Sequence, residues 1–352
     1  MGPCTVCIGA ASIGLANPIL LVIMGPTNTM KSLTAISLFS GCGGFDWGAT
    51  SAGVSIVWAN DIDKHAAAAY RSLFPCSDFV HADVCDISKF PSADILIGCY
   101  PCTGFSVAAR RRWKDRLERD LLSISGNFLY REYLRALRQV LPKYFFVENV
   151  RGMVSAHDGW FFKEQIRGFE DLGYTVYHKL LSAQDYGVPQ SRQRVFIVGV
   201  RDDVSRDFNY EYAEPTHRNG SECSFRTLRE AIGDMPLWPT GDFLERAYHG
   251  HYLTRNRKRG WDQPSYTVVA NASHVPLHPE GEPMVFVEKD KWALCGDFNR
   301  RLSWRECARI QGLPDHINPG GELEDKYRVV GNAVPPAFGR ILLEPVVQHE
   351  AA

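Results

Sequence analysis

Between Leu33 and Val200 a series of short apolar runs each ends in a cluster of polar or glycine residues, and no other feature constrains the fold of this chain as tightly. Thr34–Phe39 runs into Ser40-Gly41-Cys42-Gly43-Gly44, and Val54–Ala59 into Asn60-Asp61-Ile62-Asp63. Phe79-Val80 leads to Asp83, Ile95–Ile97 to a loop carrying Pro101-Cys102, and Phe145–Val147 to Glu148-Asn149-Val150. Apolar runs of this length, bounded by turn residues, read as buried strands. Helical patterns separate them, which argues a βαβ series and a mostly parallel sheet. In open α/β sheets ligands bind outside the carboxyl ends of the strands. The polar clusters should therefore share one cleft.

The chain changes character near Arg201. Residues 202–299 are rich in Pro, Gly, His, Arg and aromatics with weak periodicity, and read as a second, smaller, loop-rich domain. Helical patterning returns at Arg301, so 300–352 is expected to complete the domain begun at 31–201. Residues 1–30 read as a loose extension, with Met24 or Met30 as the expected start, or else as an extra surface element. No Lys or Arg precedes Lys31, so the apolar stretch Ile19–Met24 lacks the charged start of a signal peptide and is too short to span a bilayer. The ten cysteines sit at irregular spacings unlike a disulfide framework, and free thiols in a reducing cytoplasm are expected. Cys4 and Cys7 form a CxxC pair with no second pair near it, so no metal site is expected. A formal net charge of −1 gives no global pull toward nucleic acid, and any such binding must come from local basic patches.

The glycine loop after the first strand allows backbone N–H groups and a helix N-terminus to approach a ligand closely. It is not a GxGxxG fingerprint, because Asp46 stands where the third glycine would be. Asp61 or Asp63, about twenty residues on, sits where an acidic group would bind ribose hydroxyls. Asp83 reads either as an acceptor for a ligand amino group or as a helix cap. Cys102, held by a rigid proline at a strand end, is placed like a nucleophile, and Glu148 is a carboxyl able to hold a proton. Gln190, Arg192 and Arg194 have period-two spacing and would point one way on a strand. The run Arg110-Arg111-Arg112 after Cys102 suits phosphate contact. Arg255, Arg257, Lys258, Arg259 and Trp261 form the densest basic and aromatic cluster, with His249, His251, Asn271, His274 and His278 adding hydrogen-bonding groups.

With these residues in view, the chain strongly resembles the cytosine-C5 DNA methyltransferases of the prokaryotic modification type. Ser37-Leu38-Phe39-Ser40-Gly41-Cys42-Gly43-Gly44 is similar to their first cofactor motif, and Pro101-Cys102 with Phe105-Ser106 to their catalytic loop. Glu148-Asn149-Val150 matches ENV, Gln190-Ser191-Arg192-Gln193-Arg194 matches QxRxR, and Gly331-Asn332-Ala333-Val334-Pro335 matches the last motif. Arg301, Arg305-Glu306 and Gln311-Gly312-Leu313-Pro314-Asp315 resemble the motif after the variable region. The likeness runs in order from Thr34 to Leu343. Three departures stand out: Thr103-Gly104 replaces the usual Gln after Pro-Cys, Tyr100 precedes the proline, and Asp61 stands where Glu is usual.

The resemblance implies an α/β fold, a Rossmann-like S-adenosylmethionine-dependent methyltransferase sheet with a smaller target-recognition domain at 202–299. It implies methyl transfer from S-adenosyl-L-methionine to C5 of a cytosine flipped out of double-stranded DNA. Addition of the Cys102 thiolate at C6 makes C5 reactive, with Glu148 at ring N3 and Arg192 and Arg194 stabilising the attacked base. Phe39, Ser40, Gly41, Gly43, Gly44, Asp61, Ile62, Asp83, Val84, Pro101, Asn332 and Val334 would line the cofactor pocket. Ser106, Arg110, Arg111, Arg112, Gln190, Arg255, Arg257, Lys258 and Arg259 would meet the DNA. A monomer is expected, with a cognate restriction endonuclease as a possible companion that is not physically bound. The alternatives are a transfer-RNA methyltransferase of the same fold, a catalytically silent DNA-binding relative, and a nicotinamide-dependent oxidoreductase.

Overall fold

The computed structural model describes residues 32–101, 124–218, 220 and 223–352. The expectations for residues 1–30 and for Cys102, Ser106, Arg110, Arg111 and Arg112 lie outside the described residues. A seven-stranded sheet organises the rest. Its strands are β1 (Thr34–Leu38), β2 (Ser55–Asp61), β3 (Asp78–His81), β4 (Ile95–Gly98), β5 (Tyr144–Val150), β6 (Tyr174–Ser182) and β8 (Gln193–Arg201), in the order β3-β2-β1-β4-β5-β8-β6. The first five pair in parallel, and β8 inserts antiparallel between β5 and β6. β1 has β2 on one side and β4 on the other, so the winding reverses between β1 and β4. At this switch point the chain leaves β1 as the glycine loop and β4 as the segment that enters Pro101-Cys102.

The apolar runs form central strands because both faces are covered. On one face Ala35, Ile97, Phe146 and Val198 pack with Phe338, Leu342 and Val346. On the other, Ile36, Leu96, Phe145 and Ile197 pack with Tyr133, Phe161 and Phe169. The helix following the glycine loop, α1 (Gly44–Ser51), lies against the C-terminal helix Pro336–Ala351 at backbone contact distance. A Cβ on Gly48 would sit 1.9 Å from the Pro336 carbonyl oxygen, and one on Gly339 2.2 Å from that of Phe45. Glycine is therefore required on both helices at their crossing.

Residues between Arg201 and Arg300 are mostly loop, with a short helix Leu228–Ile232, a strand β9 (Ser265–Tyr266) that pairs in parallel with the earlier β7 (Gln190–Ser191), a hairpin β10 (Val285–Glu288) with β11 (Lys291–Ala293), and the 3-10 turns Tyr252–Thr254 and Ala272–His274. Leu228, Ile232, Val268 and Val275 from this stretch join Leu302, Trp304, Ile310 and Val330 in a separate apolar cluster. The helix Trp304–Gln311 starts at a capping box in which Ser303 Oγ accepts from the Glu306 N–H at 3.1 Å, while the Ser303 N–H donates to the Glu306 carboxylate at 2.7 Å.

Candidate active site

The glycine loop closes over the carboxyl ends of β1 and β2. Phe39 has φ 54°, Gly41 φ 56° and Gly43 φ 82°, so the chain turns through three left-handed positions before α1 begins. Non-glycine residues rarely adopt that region, and Phe39 holds it with its ring set edge-on to Tyr100 at 6.1 Å. Asp61 fastens the loop from below, its carboxylate accepting from the N–H groups of Gly41 and Asp63, each at 2.8 Å. Burial pushes the Asp61 carboxyl upward, opposed by backbone N–H donors. Beside it, Ile62 is 64% exposed, an apolar side chain on the rim of a polar cleft.

Asp83 caps a 3-10 turn, accepting from the Cys85 N–H at 2.9 Å, and Val84 beneath it is buried. Asn332 ends the helix Leu323–Asn332 and is exposed, whereas Val334 is buried with its carbonyl 2.2 Å from where a Cβ on Gly44 would lie. The last-motif loop thus seals the N-terminus of α1. Ser40 donates to the Asn60 carbonyl at 3.2 Å, and Pro101 is exposed at the end of the described segment.

Two features of this half escaped the sequence reading. Asp46, 1% exposed, accepts from the hydroxyls of Ser37 and Tyr70, each at 2.9 Å, and burial raises its carboxyl to about 6. Arg328 pairs with Asp63 and, at 2.9 Å, with Asp325, tying the helix that ends at Asn332 to the loop after Asp61. No local sequence pattern signals these ties between distant elements.

On the other side of the cleft, Gly98 pairs with Val147, so β4 delivers the chain toward Pro101 beside Glu148. Glu148 is 9% exposed and its Oε1 lies 2.7 Å from Arg194 Nε, across the β5–β8 ladder. That oxygen has its partner in this ion pair, whereas Nδ2 of the neighbouring Asn149, 3% exposed, has no hydrogen-bond partner. Buried polar atoms normally find partners, so such an orphan beside the cleft suits a ligand's polar edge. Cys99, the other thiol near the cleft, is pushed well above its ordinary value by burial and then by the Glu148 charge, so it stays a neutral thiol.

Gln190, Arg192 and Arg194 do not share one face. The strand breaks at Arg192, between β7 and β8, and the three side chains diverge. Arg194 turns to Glu148. Arg192, 1% exposed, donates instead to the carbonyls of Val268 at 3.1 Å, Ala333 at 3.0 Å and Gly331 at 3.3 Å. These include the last carbonyls of the helix Leu323–Asn332, where a cation is favoured. Gln190, fully buried, bonds Gln311 and accepts from the Val268 N–H at 3.1 Å.

The basic cluster of the variable stretch divides likewise. Arg257 is buried and donates to the carbonyls of Tyr252 at 3.0 Å and His274 at 3.1 Å, and Lys258 is buried with its ammonium 3.1 Å from the Phe298 carbonyl. Both serve the protein's own backbone in place of a solvent-facing patch. Arg255 is exposed, and Arg259 is half-buried with its guanidinium 4.3 Å from the Tyr266 ring centre. His278 sits 2% exposed beside the Arg300–Glu306 pair, and burial with the Arg300 charge lowers it to about 3. Arg300 donates to both Glu306 oxygens at 2.8 and 2.6 Å. Among the described residues no cluster of His, Cys, Asp or Glu is arranged to hold a metal ion, and no helix is long and apolar enough to cross a membrane.

Residues 33–348 match the family model described as C-5 cytosine-specific DNA methylase. The chain is 37% identical to the Type II methyltransferase M.BsuRI of Bacillus subtilis, over 89% of this chain and 79% of the relative. It is 38% identical to M.BspRI of Lysinibacillus sphaericus, over 90% and 82%, and 35% identical to M.FnuDI of Fusobacterium nucleatum, over 88% and 93%. Among solved structures, the S. pombe Dnmt2 methyltransferase superposes with a TM-score of 0.63 at 19% identity, covering 89% of this chain and 99% of that one. The Entamoeba histolytica methyltransferase EhMeth gives 0.65 at 16% identity, covering 91% and 99%. The fold expectation and the resemblance both hold: this chain belongs to the C-5 cytosine-specific DNA methylase family.

Proposed function

We propose that this protein methylates C5 of a cytosine swung out of duplex DNA, with Cys102 as nucleophile, Glu148 as its proton partner and Arg194 as the orienting cation. The observation that carries the reading is the Glu148–Arg194 pair, 2.7 Å apart, with the unpartnered Nδ2 of Asn149 next to it in the chain. Carbon 5 of cytosine is too weak a nucleophile to accept a methyl group unaided. Thiolate addition at C6 moves electron density to C5, and a proton held at N3 offsets the developing negative charge; after transfer, loss of the C5 proton restores the C5–C6 double bond and expels the Cys102 thiolate. Arg194 fixes the carboxyl that shares this proton. A base inside a duplex is out of reach, so the target must be flipped, at a cost of a few kcal/mol.

S-adenosyl-L-methionine would supply an electrophilic methyl group. The residues fit it: the Asp61 carboxylate suits ribose hydroxyls, the exposed Ile62 suits a flat aromatic ring, and the left-handed glycine loop leaves backbone free to approach. Phe39, Asp83, Asn332 and Val334 complete the walls. Arg192 acts through the backbone, holding the last-motif loop against the variable stretch. Residues 202–299 form the region that selects the DNA sequence, and Arg110, Arg111 and Arg112 meet phosphate. We read it as a cytoplasmic monomer, and its likeness to Type II methyltransferases supports a cognate restriction endonuclease working beside it.

The test exposes purified protein to tritiated S-adenosylmethionine with mixed-sequence duplex DNA or transfer RNA, followed by nucleoside analysis. Label in 5-methyldeoxycytidine from DNA is expected. Label from transfer RNA alone would keep the chemistry and overturn the substrate.

A further inference from the structure

A buried hydrogen bond stands where the chain leaves β4 for Pro101-Cys102. Tyr100 is 3% exposed, and its hydroxyl donates at 2.5 Å to Oε1 of Gln165, 1% exposed, on the helix Trp160–Glu170. Nε2 of Gln165 donates in turn to the Phe161 carbonyl at 3.0 Å and lies 3.5 Å from the Met153 sulfur. Both ends of the Tyr100–Gln165 bond are shut away from water, where deleting one partner leaves the other unsatisfied. Tyr100 departs from the family's usual residue here, and its partner lies 65 residues farther along the chain.

This bond joins parts of the chain that carry different parts of the reaction. Tyr100 leads directly into Pro101-Cys102. Met153 lies on the turn Arg151–Gly159, which follows Glu148-Asn149-Val150 without a break. The Tyr100 ring meets Phe39 of the glycine loop edge-on at 6.1 Å and lies 5.6 Å from the Tyr133 ring, centre to centre. Apolar packing alone is non-directional, whereas a satisfied buried hydrogen bond fixes one arrangement of the groups it joins.

We propose that the Tyr100–Gln165 bond is a positioning device that sets where the catalytic loop departs from the sheet, and with it the placement of Cys102 against the base that Glu148 engages. This deepens the reading above and rests on it. Tyr100 and Gln165 are positioning residues, acting through the backbone of Pro101-Cys102. Attack at C6 requires sulfur and carbon to be aligned at close range, and a small displacement far from the chemistry is costly in rate. Losing the bond should therefore slow covalent addition while affinity for DNA and for S-adenosylmethionine stays the same.

The test uses the full chain with S-adenosylmethionine and mixed-sequence duplex DNA in which 5-fluorocytosine replaces cytosine. Cys102 adds at C6 and C5 takes the methyl group, but fluorine, unlike a proton, does not depart as a cation. The carbon–sulfur bond therefore persists, and the protein–DNA adduct is followed over time on a denaturing gel with protein in excess. Tyr100→Phe keeps the ring and deletes the hydroxyl, and Gln165→Met keeps the bulk and deletes the acceptor. Each should slow adduct formation by about 10- to 100-fold, the scale of a small misplacement of reacting groups, with both affinities unchanged. The double variant should be no slower than either single one, because all three break the same link. Tyr133→Phe deletes a hydroxyl from the same apolar cluster, one that donates to the Leu96 carbonyl at 3.0 Å, and should keep the wild-type rate. An unchanged rate in Tyr100→Phe overturns the proposal. So does equal slowing in Tyr133→Phe, the mark of a generally loosened core, or a loss confined to cofactor affinity. Wild-type protein that forms no adduct overturns the functional reading as well.

Discussion

Asp46→Asn should erase a weakness that the protein acquires as pH rises. Asp46 is 1% exposed beneath the glycine loop, and burial raises its carboxyl from 3.8 to about 6 even though Ser37 and Tyr70 both donate to it. The native state therefore holds the proton more tightly than the unfolded chain does. Below pH 3.8 both states are protonated and Asp46 exerts no pull. Between 3.8 and about 6 the unfolded chain ionises first, and native stability falls as pH increases. Above that window the full penalty applies, about 3 kcal/mol from the size of the rise. Asparagine never ionises, and both hydroxyl partners can rotate to meet an amide. The stability of the variant minus that of wild type should thus grow by about 3 kcal/mol between about pH 4 and pH 7. Urea unfolding followed by tryptophan fluorescence at several pH values measures this difference directly. Because the two proteins share every other titrating group, other ionisations cancel. A difference that stays flat, or that falls with pH, would refute the reasoning.

Cys102→Ser should abolish methyl transfer while leaving cofactor-induced thermal stabilisation intact; retained transfer would move the nucleophile elsewhere. Arg194→Leu should slow transfer by about 10²-fold, as loss of a charge-stabilising donor does, with cofactor affinity held constant in calorimetry. Glu306→Gln leaves Arg300 buried without its carboxylate and should cost about 3–5 kcal/mol of stability, read as a lowered urea midpoint. Gly44→Ala drives a methyl group into the Val334 carbonyl, 2.2 Å away, and should cost about 1–3 kcal/mol while weakening cofactor binding; an unshifted melting temperature would show that the last-motif loop yields.

The sheet was largely legible because its central strands are buried on both faces and write themselves as uninterrupted apolar runs. Ile95–Ile97 and Phe145–Val147 could be little else, and β4 and β5 occupy those positions. Direction was not legible. Val195–Val198 reads identically forward or backward, and the antiparallel insertion of β8 depends on pairing partners far along the chain. The spacing of Gln190, Arg192 and Arg194 implied one face only while the strand stayed unbroken, and the break at Arg192 separates them. Buried cations mislead composition in the same way. Arg257 and Lys258 satisfy backbone carbonyls, and a carbonyl leaves no trace in the letters of a sequence. Asp46 stood in plain view as a departure from a glycine pattern, yet its partners Ser37 and Tyr70 come from separate elements.

The crossing of α1 with the C-terminal helix carries a consequence for how the molecule is made. Gly48 and Gly339 meet backbone to backbone, and Val334 closes over Gly44. The helix that follows the glycine loop thus awaits nearly the last helix of the chain before its apolar side is covered. A ribosome adds about 5–20 residues per second, so an emerging chain spends many seconds with the glycine loop unsupported. Pairings across such separations are slow to form and leave sticky surface exposed meanwhile. Chains released before the Gly339 region should accumulate as chaperone clients without methylating anything, and the enzyme's appearance in a cell should lag behind its translation.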